Sequence, residues 1–491
     1  MNRPVNRESL IPLMSSVKWQ SFVKILVILG LFAGLLVAFL DWAYDDPFIT
    51  YRYARNLAAG AGFVYNPGQK TLSTTTPLFT ILLALGSLLW SDIPKLAVLI
   101  GIAALLWGGI FFLSLAESWK CPWVGWIGFL LFPTFPLVVS TLGSETPLYL
   151  ALCLGTYVFY LKEQFVPAAG MAALASLTRP DGILVPLILG IDYLVRGERR
   201  FPWKSILIFL GISVPWLIFA WVYFGSPVPA TLATKQHQGL MEISEPFSRG
   251  IITILSSYRA WPYYLAAFCG IGGLIYAFLR RREILILLIW PVVYFVAYSF
   301  LNVSRYFWYY APLVPGFVVA VGAGLSATAE TVSRIDENKV FRRWIIYLPH
   351  GLLVIFLLSQ VSDLSIMARN PDQRYAAYRS AGEWLAENTT PDVKVGVLEV
   401  GMMGFFADRT MIDFAGLLQP EVAQVLGPQT TYQDSAIWAI GEYRPEYIVL
   451  HKGLFPDLES ELGRKGCELE NMIKGSDFQY QWDLIIFHCS G

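Results

Sequence analysis

The sequence predicts a polytopic α-helical membrane protein that carries a soluble α/β domain at its C-terminal end. Of the 491 residues, 55% are hydrophobic and only 15% are charged, and the mean hydropathy is +0.52, which is too apolar for a soluble chain. Apolar runs of spanning length recur along most of the chain. After about residue 365 the chain becomes polar and shows alternating, strand-like segments.

Eleven apolar runs form the predicted membrane domain, residues 1–364. The first run lacks a small-residue cleavage site, so it is predicted to be an uncleaved span and not a signal peptide. A twelfth run, residues 78–90, is shorter than the roughly 17 residues needed to cross the hydrocarbon and is predicted to be a tucked or re-entrant helix. The eleven runs are 22–41, 96–116, 122–140, 145–161, 165–178, 183–195, 203–224, 260–279, 284–302, 308–328 and 344–361.

The basic residues fix the predicted orientation. With eleven spans they fall on one side, which the positive-inside rule makes cytoplasmic. The opposite side then receives the loop 41–76, the loop 225–261 and the whole tail. The basic segments are Lys120, Lys162, 196–204, 280–282 and 334–343.

The tail, residues 365–491, is predicted to be a small soluble α/β domain, since roughly 120 residues suffice for a core of their own. Cys467 and Cys489 both lie in it, and an exported domain allows either a disulfide between them or two free thiols. The pattern predicts a helix over 373–388 and strands over 394–400, 410–413, 446–451 and 482–488.

The first predicted outer loop contains two adjacent acids, Asp45 and Asp46, directly before Pro47 and a helical run from Phe48 to Ala59. One acid before a proline is typical of a helix N-cap. A second acid at a membrane boundary costs free energy unless a cation or a reaction uses it. The pair therefore indicates a catalytic or cation-binding site, and the alternative for Asp46 is a helix-capping role.

Further ionisable groups lie at the ends of apolar runs on the same predicted side. A permanent cation such as Arg179 or Arg305 is costly there unless it meets an acid or a phosphate, although snorkelling or a structural ion pair is the alternative for each. Glu145 precedes a helical run, so a capping turn is its alternative. The aromatic residues around Tyr306 are typical of an interfacial belt.

Several classes of function are excluded. The formal net charge is zero, so nothing indicates a nucleic-acid partner. There is no phosphate-binding GxxxxGK[ST] loop, and GMMG at 401–404 has the wrong spacing for a dinucleotide turn. The four histidines form no pair at metal-site spacing. We therefore expect no nucleotide cofactor and a substrate that arrives already activated, as a lipid phosphate.

At this point the residues resemble a family. DDPFITYRYARNLAAGAGFVYNPGQ, residues 45–69, is similar to the first outer loop of the bacterial C-type (GT-C) glycosyltransferases that use polyprenyl-phosphate sugars, in particular the AftB-like arabinofuranosyltransferase group. The resemblance continues in order to the tail. The further similar segments are GSETPLYLAL, LASLTRPDG, FGSPVPATLATK, SRYFWYYAPLVP and VGMMGFFADRTMIDFAGLLQPEVA.

The resemblance implies an enzyme of the GT-C type, with about 11 spanning helices, juxtamembrane helices in the first outer loop and a periplasmic or extracellular C-terminal domain. It would sit in the bacterial cytoplasmic membrane and move a sugar, arabinofuranose-like in the closest group, from a polyprenyl phosphate to an envelope glycan, lipid or protein. Departures from the pattern are Pro47, the segment LSTTTP at 72–77 and Glu399. The alternative is a non-catalytic transporter, flippase or scaffold for lipid-linked sugars.

The resemblance also implies site residues. Asp45 takes the role of general base, and Asp46 that of a neighbour which positions the acceptor or, with Glu145, holds a divalent cation (Mg²⁺, Mn²⁺ or Ca²⁺). One base opposite the phosphate predicts inversion at the anomeric carbon, while Glu145 leaves a double displacement open. The predicted substrate-binding residues are Arg52, Arg55, Glu145, Arg179, Lys235, His237, Arg305 and Tyr306.

Overall fold

The computed structural model describes residues 10–197, 201–333 and 347–490. It is mostly helical, and a five-stranded sheet is confined to the tail. Each of the eleven apolar runs overlaps a helix, and the shorter run becomes the helix Pro77–Ser87. The basic segment 334–343 lies outside the described residues, as do residues 198–200.

Sixteen helices precede the tail in the described part of the chain. They are α1 (Leu10–Phe39), α2 (Pro47–Ala58), α3 (Pro77–Ser87), α4 (Ile93–Trp119), α5 (Pro122–Leu131), α6 (Pro136–Val139), α7 (Thr146–Leu161), α8 (Phe165–Thr178), α9 (Leu184–Val195), α10 (Trp203–Phe224), α11 (Ala230–Leu240), α12 (Phe247–Ser256), α13 (Trp261–Arg280), α14 (Leu285–Leu301), α15 (Val314–Ser333) and α16 (Leu348–Arg369). Short 3₁₀ turns lie at Pro180–Ile183, Arg282–Ile284 and Phe307–Leu313.

The apolar helices make the chain a multi-pass membrane protein. Among the described residues, seven helical stretches are long and apolar enough to cross a bilayer by length and composition. Several of the other predicted spans are helices of 10–17 residues, so the total of eleven stays a prediction. The seven stretches are Ser21–Phe39, Ile93–Trp119, Trp203–Phe224, Trp261–Arg280, Arg282–Leu301, Phe307–Thr331 and Leu348–Asn388.

Local sequence explains where many helices begin and end. Helices α2, α3, α5 and α6 each begin at a proline, whose fixed φ suits the first helical position and whose missing N–H leaves no donor unpaired. Helix α4 begins after Asp92, whose carboxylate accepts the backbone N–H of Lys95, and ends where Lys120 turns to a φ of 53°. Asp46 occupies the cap position of α2, but its carboxylate makes no capping hydrogen bond, so the capping alternative is wrong for this side chain.

The tail folds around one sheet in the order β2-β1-β3-β5-β4. Strands β2, β1 and β3 are parallel, whereas β5 runs antiparallel to both β3 and β4. The strands are β1 (Lys394–Val397), β2 (Thr410–Asp413), β3 (Tyr447–His451), β4 (Cys467–Ile473) and β5 (Leu484–Cys489). The helices are α17 (Arg374–Asn388), α18 (Met402–Ala407), α19 (Pro420–Ala423), α20 (Tyr432–Tyr443) and α21 (Pro456–Arg464), with a 3₁₀ turn at Gly475–Phe478.

Cys467 and Cys489 form a disulfide that joins the start of β4 to the end of β5, so the disulfide alternative is the correct one. Sequence patterns missed β4 because it is an edge strand whose side chains are mostly exposed. The predicted division at residue 364 falls inside α16, which continues to Arg369. The two-domain boundary itself stays a prediction.

The first outer loop and the tail share one hydrophobic core. Phe48 and Tyr65 of the loop are buried in the same cluster as Val397 and Met403 of the tail. A separate core fills the helix bundle, and a third lies on the other face of the sheet. Since each fully buried side chain of this size stabilises the fold by about 1.5–3 kcal/mol, the loop is anchored to the tail as firmly as one element of a domain is to another.

Candidate active site

A cavity of about 620 Å³ lies beside the start of α2 and is lined by two kinds of residues. Four of its charged residues lie at helix ends or in a 3₁₀ turn, namely Asp46, Glu145, Arg179 and Asp181, and the fifth, Lys235, lies in the middle of α11. Its apolar residues include side chains from within the apolar helix α10, namely Phe209, Trp216 and Leu217. The cavity can therefore accommodate a molecule whose polar head meets the charged residues and whose hydrocarbon chain meets the apolar ones.

Lys235, on α11, is a buried cation in this wall. Its ammonium lies 3.8 Å from the Asp46 carboxylate and 3.7 Å from the centre of the Tyr306 ring, which is within cation–π range. Although burial lowers the pKa of Lys235, Tyr306 and Asp46 outweigh it and raise the pKa above its ordinary value. Tyr306 is fixed by donating its hydroxyl to Gln238. Lys235 thus presents a permanent positive charge with one loosely held acid beside it.

Arg179 also lies in the wall, but its charge is already balanced. Its guanidinium contacts Asp181 at 3.0 Å and Glu145 at 3.2 Å, and it donates to the Tyr298 hydroxyl at 3.0 Å. Buried charges persist when they are paired and hydrogen-bonded in this way. The structural ion pair, which was the alternative for Arg179, is therefore present, and Lys235 is the wall cation with the fewer acidic partners.

A group of hydroxyls forms another part of the wall. Thr50 lies 3.2 Å from Thr74 and 3.3 Å from Thr76, measured between hydroxyl oxygens. All four residues of the segment 73–76 line the cavity. Sequence reasoning noted LSTTTP only as a departure from a family pattern; its run of three consecutive threonines was the signal that it belongs to the site.

Asp45 faces away from the cavity wall, toward the tail. Its carboxylate accepts the backbone N–H of Gly401 at 3.1 Å and that of Met402 at 2.7 Å. Burial and the nearby Glu399 carboxylate raise the pKa of Asp45 well above its ordinary value, even though the Met402 N–H and Arg374 oppose the shift. A carboxylate has about four acceptor positions, so two remain after these bonds. Its role as a base stays a prediction.

Arg52 and Arg55 also turn to the tail and lie outside the cavity wall. Arg52 is buried and donates to the backbone carbonyls of Gly404 and Arg409. Arg55 forms a 2.6 Å ion pair with Asp408. These contacts hold the loop and tail together, and they give neither guanidinium a position from which to bind a ligand in the cavity.

His237 and Arg305 are likewise outside the wall. Nδ1 of His237 lies 3.0 Å from the carbonyl oxygen of Leu426, and Arg305 forms a 2.8 Å ion pair with Glu245. The structure therefore brings Asp46, Glu145, Arg179 and Lys235 together around one cavity and places Tyr306 directly beneath Lys235. It leaves Asp45, Arg52, Arg55, His237 and Arg305 in contacts elsewhere, and their predicted roles in substrate handling stay predictions.

Asp46 and Glu145 line the same cavity, but they do not make a ready divalent-cation site. Each faces a side-chain cation, Lys235 and Arg179 respectively. Within the described ranges, no group of three or more acidic, histidine or cysteine residues is arranged to hold a metal ion. The donor set present thus does not fit a resident divalent cation.

Comparison of sequences gives two matches. Residues 366–487 match a family described as a domain of unknown function, DUF8728. A terminal β-(1→2)-arabinofuranosyltransferase of Mycobacterium tuberculosis is 25% identical in an alignment of 269 residues that covers 49% of this chain and 42% of that protein. The matched part thus covers less than half of the length of this relative.

Comparison of structures covers nearly the whole chain. ArnT from Cupriavidus metallidurans bound to undecaprenyl phosphate superimposes with a TM-score of 0.62 at 14% identity, covering 95% of this chain and 97% of that one. Its apo state gives 0.63 at 15% identity, with 96% and 98% covered. The apo oligosaccharyltransferase of Archaeoglobus fulgidus gives 0.54 at 15% identity, with 86% and 69% covered. Likeness at this level of identity establishes the fold.

Proposed function

Because this chain has the fold of the GT-C membrane glycosyltransferases, we propose that it transfers a sugar from a polyprenyl-phosphate donor to an acceptor of the cell envelope. The observation that carries the proposal is the cavity of about 620 Å³, whose wall combines the Lys235–Asp46 pair with apolar side chains of α10. A polyprenyl-phosphate sugar has the same division into a charged head and a long apolar chain.

The donor phosphate is assigned to Lys235. A phosphate that enters the cavity meets one cation whose charge is opposed by a single acid 3.8 Å away, whereas Arg179 is held by two acids. A charge-assisted hydrogen bond between ammonium and phosphate is about twice as strong as a neutral one. The hydroxyls of residues 73–76 are the groups available to the sugar, since sugar hydroxyls pair well with side-chain hydroxyls.

The base is assigned to Asp45. Asp46 lies beside Lys235, on the side where the leaving phosphate would sit, while an in-line displacement requires the base on the opposite side of the sugar. Asp45 has no side-chain cation within ion-pair distance among the described residues, and its raised pKa suits a group that must take up a proton. Since Asp45 is not part of the cavity wall, the proposal requires the acceptor hydroxyl to lie between its remaining acceptor positions and the cavity.

The reaction is then a single displacement. The acceptor oxygen forms a bond to the anomeric carbon as its proton passes to Asp45. The bond between the anomeric carbon and the phosphate oxygen breaks, and its electron pair leaves with the polyprenyl phosphate, whose charge Lys235 stabilises. The configuration is inverted. Glu145, the other carboxylate in the cavity, is engaged by Arg179, which makes it a poor nucleophile for a two-step route.

The finer parts of the proposal concern place and substrate. We assign the protein to the bacterial cytoplasmic membrane with the tail on the periplasmic or extracellular side, because a disulfide in the tail is stable in an oxidising compartment. Similarity to an arabinofuranosyltransferase supports a pentofuranose as the sugar. The acceptor is an envelope glycan, lipid or protein.

Turnover of a defined donor tests the proposal. Purified protein is given a radiolabelled polyprenyl-phosphate pentose together with an envelope extract as acceptor, and release of polyprenyl phosphate is followed with time. We expect release that depends on both protein and extract. Donor binding with no release at all, under conditions that support related enzymes, would favour the alternative of a transporter or scaffold.

A further inference from the structure

The acid pair and Lys235 belong to two separate elements, the first outer loop and α11, and one stretch of the tail contacts both. Residues 400–418 run from the end of β1 through α18 and β2 to the following turn. None of the charged groups of the cavity belongs to this stretch, and only Leu417 contributes to the wall. Its contacts nevertheless reach each element at several points.

The first contact is with the outer loop. The N–H groups of Gly401 and Met402 bind the Asp45 carboxylate, and the carbonyl of Val400 accepts the Tyr65 hydroxyl. The Asn66 side chain adds two bonds between the loop and the tail: it donates to the carbonyl of Met411 on the edge strand β2 and accepts the N–H of the same residue. The loop is thus fixed through backbone groups, whose positions side-chain motion does not change.

Glycines make this approach sterically feasible. A Cβ at Gly401 would overlap the carbonyl oxygen and carboxylate of Asp45, and a Cβ at Gly404 would overlap the Tyr65 hydroxyl. The GMMG segment, which has the wrong spacing for a nucleotide-binding turn, therefore has a structural explanation: two glycines allow the tail backbone to lie directly against the loop.

The second contact is with α11. The carboxylate of Asp413, fully buried at the end of β2, accepts the N–H groups of Ala415, Leu417 and Leu418 and so fixes the turn after the strand. This turn presents two carbonyls to α11. That of Gly416 accepts the Thr234 hydroxyl at 2.9 Å, and that of Ala415 accepts the Gln238 amide at 3.1 Å. Thr234 immediately precedes Lys235.

From these contacts we infer that residues 400–418 of the tail position the base and the phosphate-binding cation relative to each other, and that Gly401, Gly404 and Asp413 are positioning residues of the active site. The inference rests on the proposed function for the roles of Asp45 and Lys235. A displacement of about 1 Å between reacting groups reduces turnover on the order of 100-fold. Among the hydrogen bonds and ion pairs of the described residues, the loop and α11 meet directly only through the Lys235–Asp46 pair and the bond from the Ala230 N–H to the Leu72 carbonyl, so a clamp that adds contacts to both has a direct effect on rate.

The two contacts predict different kinetic effects. Gly401→Ala forces the tail away from Asp45, so kcat should fall about 10- to 100-fold while the KM for the donor stays within about twofold. Thr234→Val removes the hydroxyl bond to Gly416 next to Lys235, so the donor KM should rise. A purely stabilising role would instead change both constants together. Gly441→Ala, in the open helix α20, and Thr253→Val, on exposed α12, are the matched controls.

A cleavage experiment tests the clamp without any assay of activity. A protease site is placed in the full-length chain between α16 and α17, at residues 370–373, and the cut protein is passed over a size-exclusion column in detergent. We expect the tail to remain with the membrane part when Gly401 and Gly404 are unchanged. It should separate in the double variant Gly401→Ala and Gly404→Ala but not in Gly441→Ala.

Two results would overturn the inference: co-elution of the cut tail in the double glycine variant, or equal effects of Gly401→Ala and Thr234→Val on kcat and KM. If the unaltered protein shows no turnover with any donor, the proposed function fails, yet the cleavage result still decides whether residues 400–418 clamp the two elements. Resistance of the released tail to a short pulse of a second protease distinguishes separation from unfolding, because only an unfolded tail is cleaved at many sites.

Discussion

The carboxylate of Asp45 accepts the backbone N–H of Met402 at 2.7 Å, although 357 residues separate the two in the sequence. This bond connects the first outer loop of a membrane-embedded helix bundle to the tail that follows its last helix. The carboxylate predicted to be the base is therefore oriented by the tail, whereas its neighbour Asp46 lines the cavity with Lys235.

Replacing Asp45 by Asn should reduce turnover of the donor about 10²- to 10⁴-fold, the usual contribution of general base catalysis. Asparagine retains an oxygen that can accept a tail N–H, so the fold and donor binding should persist. The measurement is kcat together with the dissociation constant of the donor. Asp41→Asn, at an exposed acid of the same loop, is the control, and wild-type turnover in Asp45→Asn would contradict the assignment.

Replacing Lys235 by Gln should weaken donor binding by about 1.5–3 kcal/mol, which is typical for a lost hydrogen bond to a charged group. The effect should depend on the phosphate, so free polyprenol should bind both proteins equally. Titration with polyprenyl phosphate and with polyprenol separates the two contributions. Lys70→Gln, at an exposed position outside the cavity, is the control. Equal loss of affinity for both lipids would argue against a phosphate contact.

The dependence of rate on pH should report the raised pKa of Asp45. Burial and the Glu399 carboxylate raise this pKa, the Met402 N–H and Arg374 lower it, and Asp46 also raises it. Since only the ionised carboxylate can accept a proton, kcat should increase with pH and level off above a pKa well beyond the ordinary value of about 4.

The Glu399→Gln variant tests the cause of that shift. Removing a like charge lowers the pKa of Asp45, so the rising limb of the pH–rate profile should move to lower pH. Glu470→Gln, at an exposed position on β4, should leave the limb in place. If the rising limb of the pH–rate profile does not move in Glu399→Gln, or moves to higher pH, another group controls the pH dependence of the rate.

Loss of the disulfide should destabilise the tail. The bond closes a segment of 22 residues, for which the loss of chain entropy in the unfolded state corresponds to about 3 kcal/mol. Cys467→Ser should therefore lower the urea concentration at which a pulse of protease cleaves half of the tail. Cys269→Ser, in helix α13, should not change it. An unchanged midpoint in Cys467→Ser would mean that the bond contributes no stability to the tail.

Much of the architecture could be predicted because helices and strands leave their patterns in short stretches of the sequence. Each apolar run predicted a helix because hydrocarbon leaves backbone groups no partners outside the helix. The segments 394–400, 410–413 and 446–451 predicted strands, and the structure pairs these three strands in parallel. The edge strand that begins at Cys467 was not predicted, because its mostly exposed side chains do not alternate between apolar and polar residues. Short runs of strand pattern indicate a strand only when one face is buried.

The site was harder to predict because its residues are distant in sequence. Charge near a membrane boundary selected Asp46, Glu145, Arg179 and Lys235, and the structure places all four in the wall of one cavity, while their roles stay predictions. The same criterion also selected Arg52, whose partners are backbone carbonyls of Gly404 and Arg409. Local sequence shows that a buried cation needs a partner, but it does not show whether that partner is a ligand or another part of the chain.

The most direct test of the proposed function compares unaltered protein with Asp45→Asn in release of polyprenyl phosphate from a radiolabelled polyprenyl-phosphate pentose, with envelope extract as acceptor. The account predicts steady release by the unaltered protein, label transferred to the extract with inverted configuration, and release reduced about 10²-fold or more in the variant while the donor still binds. Equal release by both proteins, or binding of the donor without release by either, would contradict it.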